Sequence, residues 1–542
     1  MLLRKRLLLL YAGILLALSS GAHAADCERT SVSSLESAYA SWGGDHRNHR
    51  NFREAASDID AGVLTRLAPR WVFALPDTDA PRAVPAVTAD TVFIADGDGG
   101  VYALSRSDGC EKWRFDAGSM VRTALSLVDS GAGPRLVFGT LEGELVALLP
   151  ATGEEAWRLD VRDHPRAMIS GSAVAWEGVI YQGVSSYELF WAANPFYSCC
   201  NFRGSLVAVD AATGEQRWRS HTIVEEPAVT ASPLLLPDKR GPSGAPIWSQ
   251  PTIDAKRGRV YVGTGQNYSE PASSTSNAII AFDLESGEML WHQQFLAGDI
   301  WNVGCAIPGH PSCPEEEGPD LDFGAPPILA TADGNDILLA GQKSGEVFAL
   351  DPDREGALLW RSSPGGGGKA GGIHFGMAVD PERGLVFVPI SDRDVGFLGA
   401  SGLGSPRPSL HAIDIASGET RWVIDSPASC IDADGDEIDG CYPGFSAPAS
   451  VVGKWVFAPT LDGVIRAFDL DSGEQVWSYD TRRRFNAVNG DEAEGGAIDQ
   501  GGVYAAGDEL YVNSGYGLVN QIPGNAFIQF APSDEQTATV VD

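Results

Sequence analysis

The sequence predicts an all-β fold: an eight-bladed β-propeller, docked through tryptophans, whose last blade is closed by both chain ends. Three observations predict it. A pattern of alternating strand, Ala-x-Asp, Ser/Thr-Gly turn and tryptophan recurs along the chain. The tryptophans in this pattern number eight. The first of them lacks the strand that precedes the others, while an unmatched strand-like stretch lies at the far C-terminus.

The copies run GGVYALSRSDGCEKW to Trp113, GELVALLPATGEEAW to Trp157, GSLVAVDAATGEQRW to Trp218 and AIIAFDLESGEMLW to Trp291. They continue as GEVFALDPDREGALLW to Trp360, SLHAIDIASGETRW to Trp422 and GVIRAFDLDSGEQVW to Trp477. Each reads as a strand of period two, a tight turn that needs glycine, and an edge strand whose tryptophan packs on the next unit. A unit that cannot bury its own face stacks on its neighbour, and the stack closes into a ring. Trp71, in LAPRWVFAL, is the eighth tryptophan, and GNAFIQFA near Asn525 is the strand it lacks. Long loops at 184–203, 266–277 and 295–325 exceed what a minimal blade needs, and loops on a rigid scaffold are where function usually sits.

The chain of 542 residues opens with a basic segment, Arg4-Lys5-Arg6, an apolar run from Leu7 to Leu18 and Ala22-His23-Ala24. This is the pattern of a cleaved secretory signal over residues 1–24, leaving 25–542 as the propeller. No later stretch is apolar enough to span a bilayer. The expectation is an exported periplasmic protein without a membrane anchor. Net charge is −33, which repels nucleic acid and anionic membranes and favours basic partners. Eight cysteines in an exported chain suggest disulfides: Cys305 with Cys313, Cys430 with Cys441, the adjacent Cys199 and Cys200, and Cys27 with Cys110. No C-x-x-C-H occurs, so no c-type haem is attached. Asp432, Asp434 and Asp436 alternate like the start of a calcium loop, but the spacing departs from an EF-hand and also suits a solvated acidic loop.

Around Gly241–Tyr268 a Gly/Pro/Ser loop leads to a lone Trp248, then Thr252-Ile253-Asp254, a turn, the strand Arg259–Val262 and Gly263-Thr264-Gly265 with amides at Gln266 and Asn267. A flat aromatic residue before one strand and carbonyl donors after the next can floor a planar ligand and hold a hard cation. A buried tryptophan and a glycine-rich turn are the plainer account of the same residues.

The repeat, together with WGGDHRNHRNF (42–52), CCNFRGSLVAVDAATG (199–214), GPSGAPIWSQPTIDAKRGRVYVGTG (241–265), GPDLDFG (318–324), AGQKSGEVFALDPD (340–353) and GGIHFGMA (371–378), resembles the pyrroloquinoline-quinone (PQQ)-dependent alcohol dehydrogenases. Within that family it is similar to the polyvinyl-alcohol dehydrogenase branch. The resemblance covers nearly the whole mature chain. It implies PQQ in the propeller axis, stacked on Trp248, with a calcium ion beside it. It implies Asp322 as the base that takes the alcohol proton and Lys343 as the cation against the quinone oxygens. Arg122, Ser170 and His374 match cofactor contacts. The calcium set is Asp322, Gln266 where relatives carry asparagine, Asn267, and Glu188 in SSYELF. A glutamate that contacts the cofactor in related enzymes falls near Arg82 here, so that contact is absent or replaced.

The resemblance implies oxidation of an alcohol, secondary or polymeric, with electrons passed to a separate cytochrome c. The rival is a cofactor-free binding or assembly propeller, since such propellers share the repeat.

Overall fold

The computed structural model describes residues 31–33, 35, 37–39, 41–393, 395, 405–432 and 434–533. The signal-like segment, Cys27 and the last nine residues lie outside that set.

Eight four-stranded antiparallel blades follow in chain order. The first is Ala86–Thr88, Thr91–Ala95, Gly100–Ser105 and Glu111–Asp116. The third is Val174–Trp176, Val179–Ser186, Ser205–Asp210 and Gln216–His221. The fourth is Thr252–Asp254, Arg259–Gly263, Ala278–Asp283 and Met289–Gln294. The fifth is Ile328–Ala332, Asn335–Gly341, Val347–Asp351 and Ala357–Ser362. The second, sixth and seventh repeat this order from Ser126, Ala378 and Ser450. The eighth takes Val503–Ala506, Glu509–Ser514 and Ala526–Pro532 from the C-terminal end and Leu67–Ala74 from the N-terminal end. Val72 there pairs with Ile528, so the ring is latched as the sequence predicts.

The repeat has a physical reason at each position. The alanine of Ala-x-Asp is the cross-strand partner of the tryptophan, as in Ala208 with Trp218 and Ala281 with Trp291. The aspartate organises the turn: Asp210 Oδ1 accepts from the Ala212 and Thr213 amides, both at 3.0 Å. The turn glycine sits at positive φ, and the indole of the preceding blade lies against it. Trp157 meets Gly214 this way, Trp218 meets Gly287 and Trp360 meets Gly418. The indole N–H then donates to a carbonyl of the same turn, Trp157 to Ala211 at 3.0 Å and Trp360 to Ile415 at 3.0 Å. Trp291 finds no such acceptor, because the turn it meets, Asp351–Gly356, is one residue longer than the others. Trp477 packs on Phe530 and Tyr479 instead of on a glycine.

Apolar side chains of facing sheets fill the spaces between blades, for example Leu206 and Ala208 against Ile253, Val260 and Ile280. The 42–52 stretch crosses one end of the axis. Its carbonyls at His46, Arg47, His49 and Arg50 accept amides of Ile253, Leu329, Val379 and Val451, at the inner strands of four successive blades. Arg50 is fully buried between the rings of Trp42 and Tyr504, and it donates to Ala449 O at 2.8 Å and to Tyr504 Oη at 2.6 Å. This stretch closes the floor of the propeller.

Cys199–Cys200, Cys305–Cys313 and Cys430–Cys441 are disulfides, as expected. Cys110 is also disulfide-bonded, while its expected partner lies outside the described residues.

The docking contact can be measured. Gly287 has φ +76°, and a Cβ there would fall 2.6 Å from the Trp218 ring. Gly287→Ala should cost about 1–3 kcal/mol for the backbone and a further ~1–3 for overpacking. Gly258→Ala, at φ +62° but facing open space, should cost only the first. Urea-unfolding midpoints of the two variants check the difference.

Candidate active site

The strands nearest the axis begin at Ala86, Ser126, Val174, Thr252, Ile328, Ala378, Ser450 and Val503. Four residues ahead of each lie, in order, Arg82, Arg122, Ser170, Trp248, Gly324, His374, Ser446 and Asp499. The propeller therefore gathers one residue from each blade into a ring around the axis. A strand leaving the axis and the next returning to it bring a second set to the same end: Gln266 after Gly263, Lys343 after Gly341 and Arg393 after Ile390.

Members of the ring touch. Trp248 lines a narrow cavity with Arg122, Ser170, Ser249 and Gln500. Its ring edge lies on Gly324, where any Cβ would collide with it. His374 and Phe375 meet the indole edge-on at centroid distances of 6.2 and 6.3 Å. His374 Nδ1 is 2.8 Å from Ser446 Oγ. Burial, then the charges of Lys343, Arg122 and Arg393, push the His374 pKa well down, so the imidazole is neutral. Ser170 Oγ is 2.6 Å from Ser185 Oγ, and Arg122 Nε donates to Gln500 Oε1 at 2.8 Å.

The chemistry concentrates in the loop before the fifth blade. Asp322 accepts three hydrogen bonds: from Trp248 Nε1 at 3.0 Å, the Gln266 amide at 2.8 Å and Lys343 Nζ at 3.2 Å. Lys343 also reaches Asp320 at 3.4 Å, and its ammonium lies 5.5 Å from the Trp248 ring centroid. Burial disfavours the Lys343 charge, but Asp320 and Asp322 outweigh it and raise the pKa. Burial pushes the Asp320 carboxyl up, opposed by Lys343 and reinforced by Asp322 and Asp299. Asp299 braces the loop, accepting the Asp320 and Leu321 amides at 2.9 Å each, and its own pKa is raised by burial.

Trp248, Asp322, Lys343, Arg122, Ser170, His374 and Gln266 thus converge. Glu188 acts, with Asp322 and Asp320, on the buried Tyr268 phenol. It is buried and takes the Asn201 and Phe202 amides and the Tyr197 hydroxyl, bracing the segment after Cys199–Cys200. The Asn267 side chain is engaged with Ser243 O at 2.9 Å and the Ser273 amide at 2.9 Å. In the 430–441 loop, Asp432 Oδ1 accepts the amides of Asp434 and Asp436, which shapes an exposed turn. The sequence reading passed over Asp299, Arg393, Asp499 and Tyr516. The place four residues before each inner strand was the available signal for Asp499.

The residues suit a planar, anionic quinone. A flat indole and an arginine line one cavity, a buried ammonium lies 5.5 Å from the centre of that indole, and Arg82 Nε and Arg393 Nη1 are buried without hydrogen-bond partners among the described residues. For a hard cation, the donor chemistry is also apt. Asp320 and Asp322 are buried carboxylates, and the Gln266 side chain beside them is buried and carries a carbonyl oxygen.

The glucose/ethanol/alcohol dehydrogenase β-propeller domain family matches residues 191–361, and the outer membrane protein assembly factor BamB family matches 68–195 and 343–519. Among solved structures, the quinohemoprotein alcohol dehydrogenase of Comamonas testosteroni superposes with a TM-score of 0.62 at 20% identity, covering 96% of this chain and 82% of that one. A europium-containing methanol dehydrogenase gives 0.63 at 16% identity, covering 91% and 98%. Fold and site together define a PQQ-dependent alcohol dehydrogenase propeller. The chain is 36% identical over 464 residues to a polyvinylalcohol dehydrogenase of Pseudomonas sp, covering 84% of this chain and 70% of that protein. It is 35% identical over 484 residues to one of Sphingopyxis sp. (strain 113P3), covering 88% and 72%. The chain belongs to the polyvinylalcohol dehydrogenase family.

Asp499 makes the site's electrostatics testable. Burial raises its pKa from 3.8 to about 7. A carboxyl raised in the folded state contributes stability that is fully present below its unfolded pKa and lost as pH rises through the folded one. Melting temperature of the cofactor-free protein should therefore fall between about pH 4 and 7, and Asp499→Asn should reduce that slope.

Proposed function

We propose that this enzyme oxidises secondary alcohols, polymeric ones included, with Asp322 as the base. The observation that carries the reading is the contact set of Asp322, held at once by Trp248, Lys343 and the Gln266 amide. Three donors fix the direction of the carboxylate beside the indole face. From there Asp322 takes the hydroxyl proton of an alcohol at the axis. The chemistry that bound PQQ would supply is that of a hydride acceptor. Lys343 holds positive charge where negative charge develops on oxygen, inside a site that the floor stretch and the blades keep from water. Trp248 orients the ring system. His374, neutral, and Ser170 supply hydrogen bonds without adding charge.

Calcium, where bound, would be held by Asp320, Asp322 and the side-chain carbonyl oxygen of Gln266, and would act as a Lewis acid. The 35–36% identity to polyvinylalcohol dehydrogenases supports a polymeric substrate. Electrons leave to a separate cytochrome c. The absence of a C-x-x-C-H motif and the net charge of −33, which suits a basic partner, support this. The opening residues support export to the periplasm through a signal over 1–24. Among the described residues, no helix is long and apolar enough to cross a membrane. An assembly propeller would have no use for a buried lysine between two buried aspartates, a costly arrangement outside a functional site.

Asp322→Asn keeps the shape and removes the proton acceptor. Turnover of secondary alcohols in a dye-linked assay should fall about 10²–10⁴-fold while PQQ still binds. Trp248→Ala should instead weaken PQQ binding, with activity partly restored at high PQQ. Near-normal turnover in Asp322→Asn, with loss in Asp320→Asn, would move the base to Asp320.

A further inference from the structure

We propose that Arg82, with Arg122 and Arg393, forms a clamp for the carboxylates of the bound quinone, across the axis from Lys343. The inference rests on the quinoprotein reading above and extends it to residues which that reading left out.

Arg82 is 92% buried by its 8% exposure, and it makes no hydrogen bond and no ion pair among the described residues. Its one close neighbour of note is the Tyr516 ring, 5.5 Å from the guanidinium carbon. Burying an arginine without a partner is expensive, so such a group points to an anion that is supplied from outside the chain. Two more arginines face the same space. Arg82, Arg122 and Arg393 all act on the Tyr516 phenol, and Arg82 and Arg122 both act on Tyr187. Arg393 uses Nη2 on the Val519 carbonyl at 2.8 Å and leaves Nη1 buried and unpaired. The exposed Asp79 acts on Arg82 without bonding to it, and Asp499, whose pKa burial raises to about 7, acts on Arg122 and Arg393.

Position adds a second, independent argument. Arg82 occupies in the first blade the ring place that Arg122 holds in the second and Trp248 in the fourth, four residues ahead of the innermost strand. Three side chains at that place, Arg122, Ser170 and Trp248, line one cavity. The first blade lies opposite the fifth in an eightfold ring, so Arg82 faces the Lys343–Asp322 pair across the site. A planar ligand seated on Trp248 would present its quinone oxygens to Lys343 and its carboxylates to the arginines.

The test is equilibrium binding of PQQ and of its trimethyl ester to the full-length protein, read by quenching of tryptophan fluorescence, for wild type, Arg82→Gln, Arg82→Lys and Arg393→Gln. Losing one charge-assisted contact should raise the PQQ Kd by about 10–100-fold in each Gln variant. Arg82→Lys should recover part of the loss. The ester, which lacks the negative charges, should bind wild type and Gln variants alike. Thermal melts of the cofactor-free forms should show Arg82→Gln at least as stable as wild type, because a buried unpaired charge is gone; this separates lost binding from lost fold. Equal PQQ affinity in wild type and both Gln variants overturns the clamp and leaves the quinoprotein reading standing. Wild type that binds no PQQ overturns both.

Discussion

The structure depends on one repeated contact, the indole of one blade laid on the turn glycine of the next. The turn must be tight enough to offer a bare backbone, so the aspartate gathers its amides and the glycine takes positive φ. The indole must clear its own partner strand, so the residue across from it is alanine. Satisfying these demands blade after blade sets the angle between neighbours. The last junction has no chain continuity to enforce it. It is held by Leu67–Ala74 pairing with Ala526–Pro532, and Trp71 and Gln529 both donate to the Arg106 carbonyl.

A rigid ring of this kind turns sequence register into spatial convergence. Eight residues at one register place ring the axis although Arg82 and Asp499 are separated by most of the chain. Any blade can contribute charge, a ring or empty space there without disturbing its own hydrogen-bond ladder. Gly324 contributes space: it admits the edge of Trp248. The floor stretch 42–52 bonds to inner strands of four blades.

Electrostatics divide the molecule in two. The chain is strongly acidic overall, with net charge −33, yet the axis holds Arg82, Arg122, Arg393 and Lys343. Lysine and carboxylates balance on the fifth-blade side, where Lys343 lies within 3.4 Å of both Asp320 and Asp322. On the first-blade side guanidinium charge exceeds carboxylate charge. A polar gradient across a planar site orients a ligand that carries anionic groups at one end.

The amino-acid sequence by itself determined the blade count, the docking tryptophans and the closure by both chain ends, because each rests on local chemistry repeated at short spacing. It also carried Trp248, Asp322 and Lys343, whose neighbouring residues are specific enough to resemble a known family. Three adjacent-loop disulfides followed from proximity along the chain. Folding alone gave the Glu188 carboxylate its contacts with the amides of Asn201 and Phe202. The Asp299 brace, the neutral His374 and the excess of guanidinium at Arg82 and Arg393 are likewise products of tertiary structure. Each depends on which distant groups share a buried volume, and burial and long-range charge have no local signature in sequence.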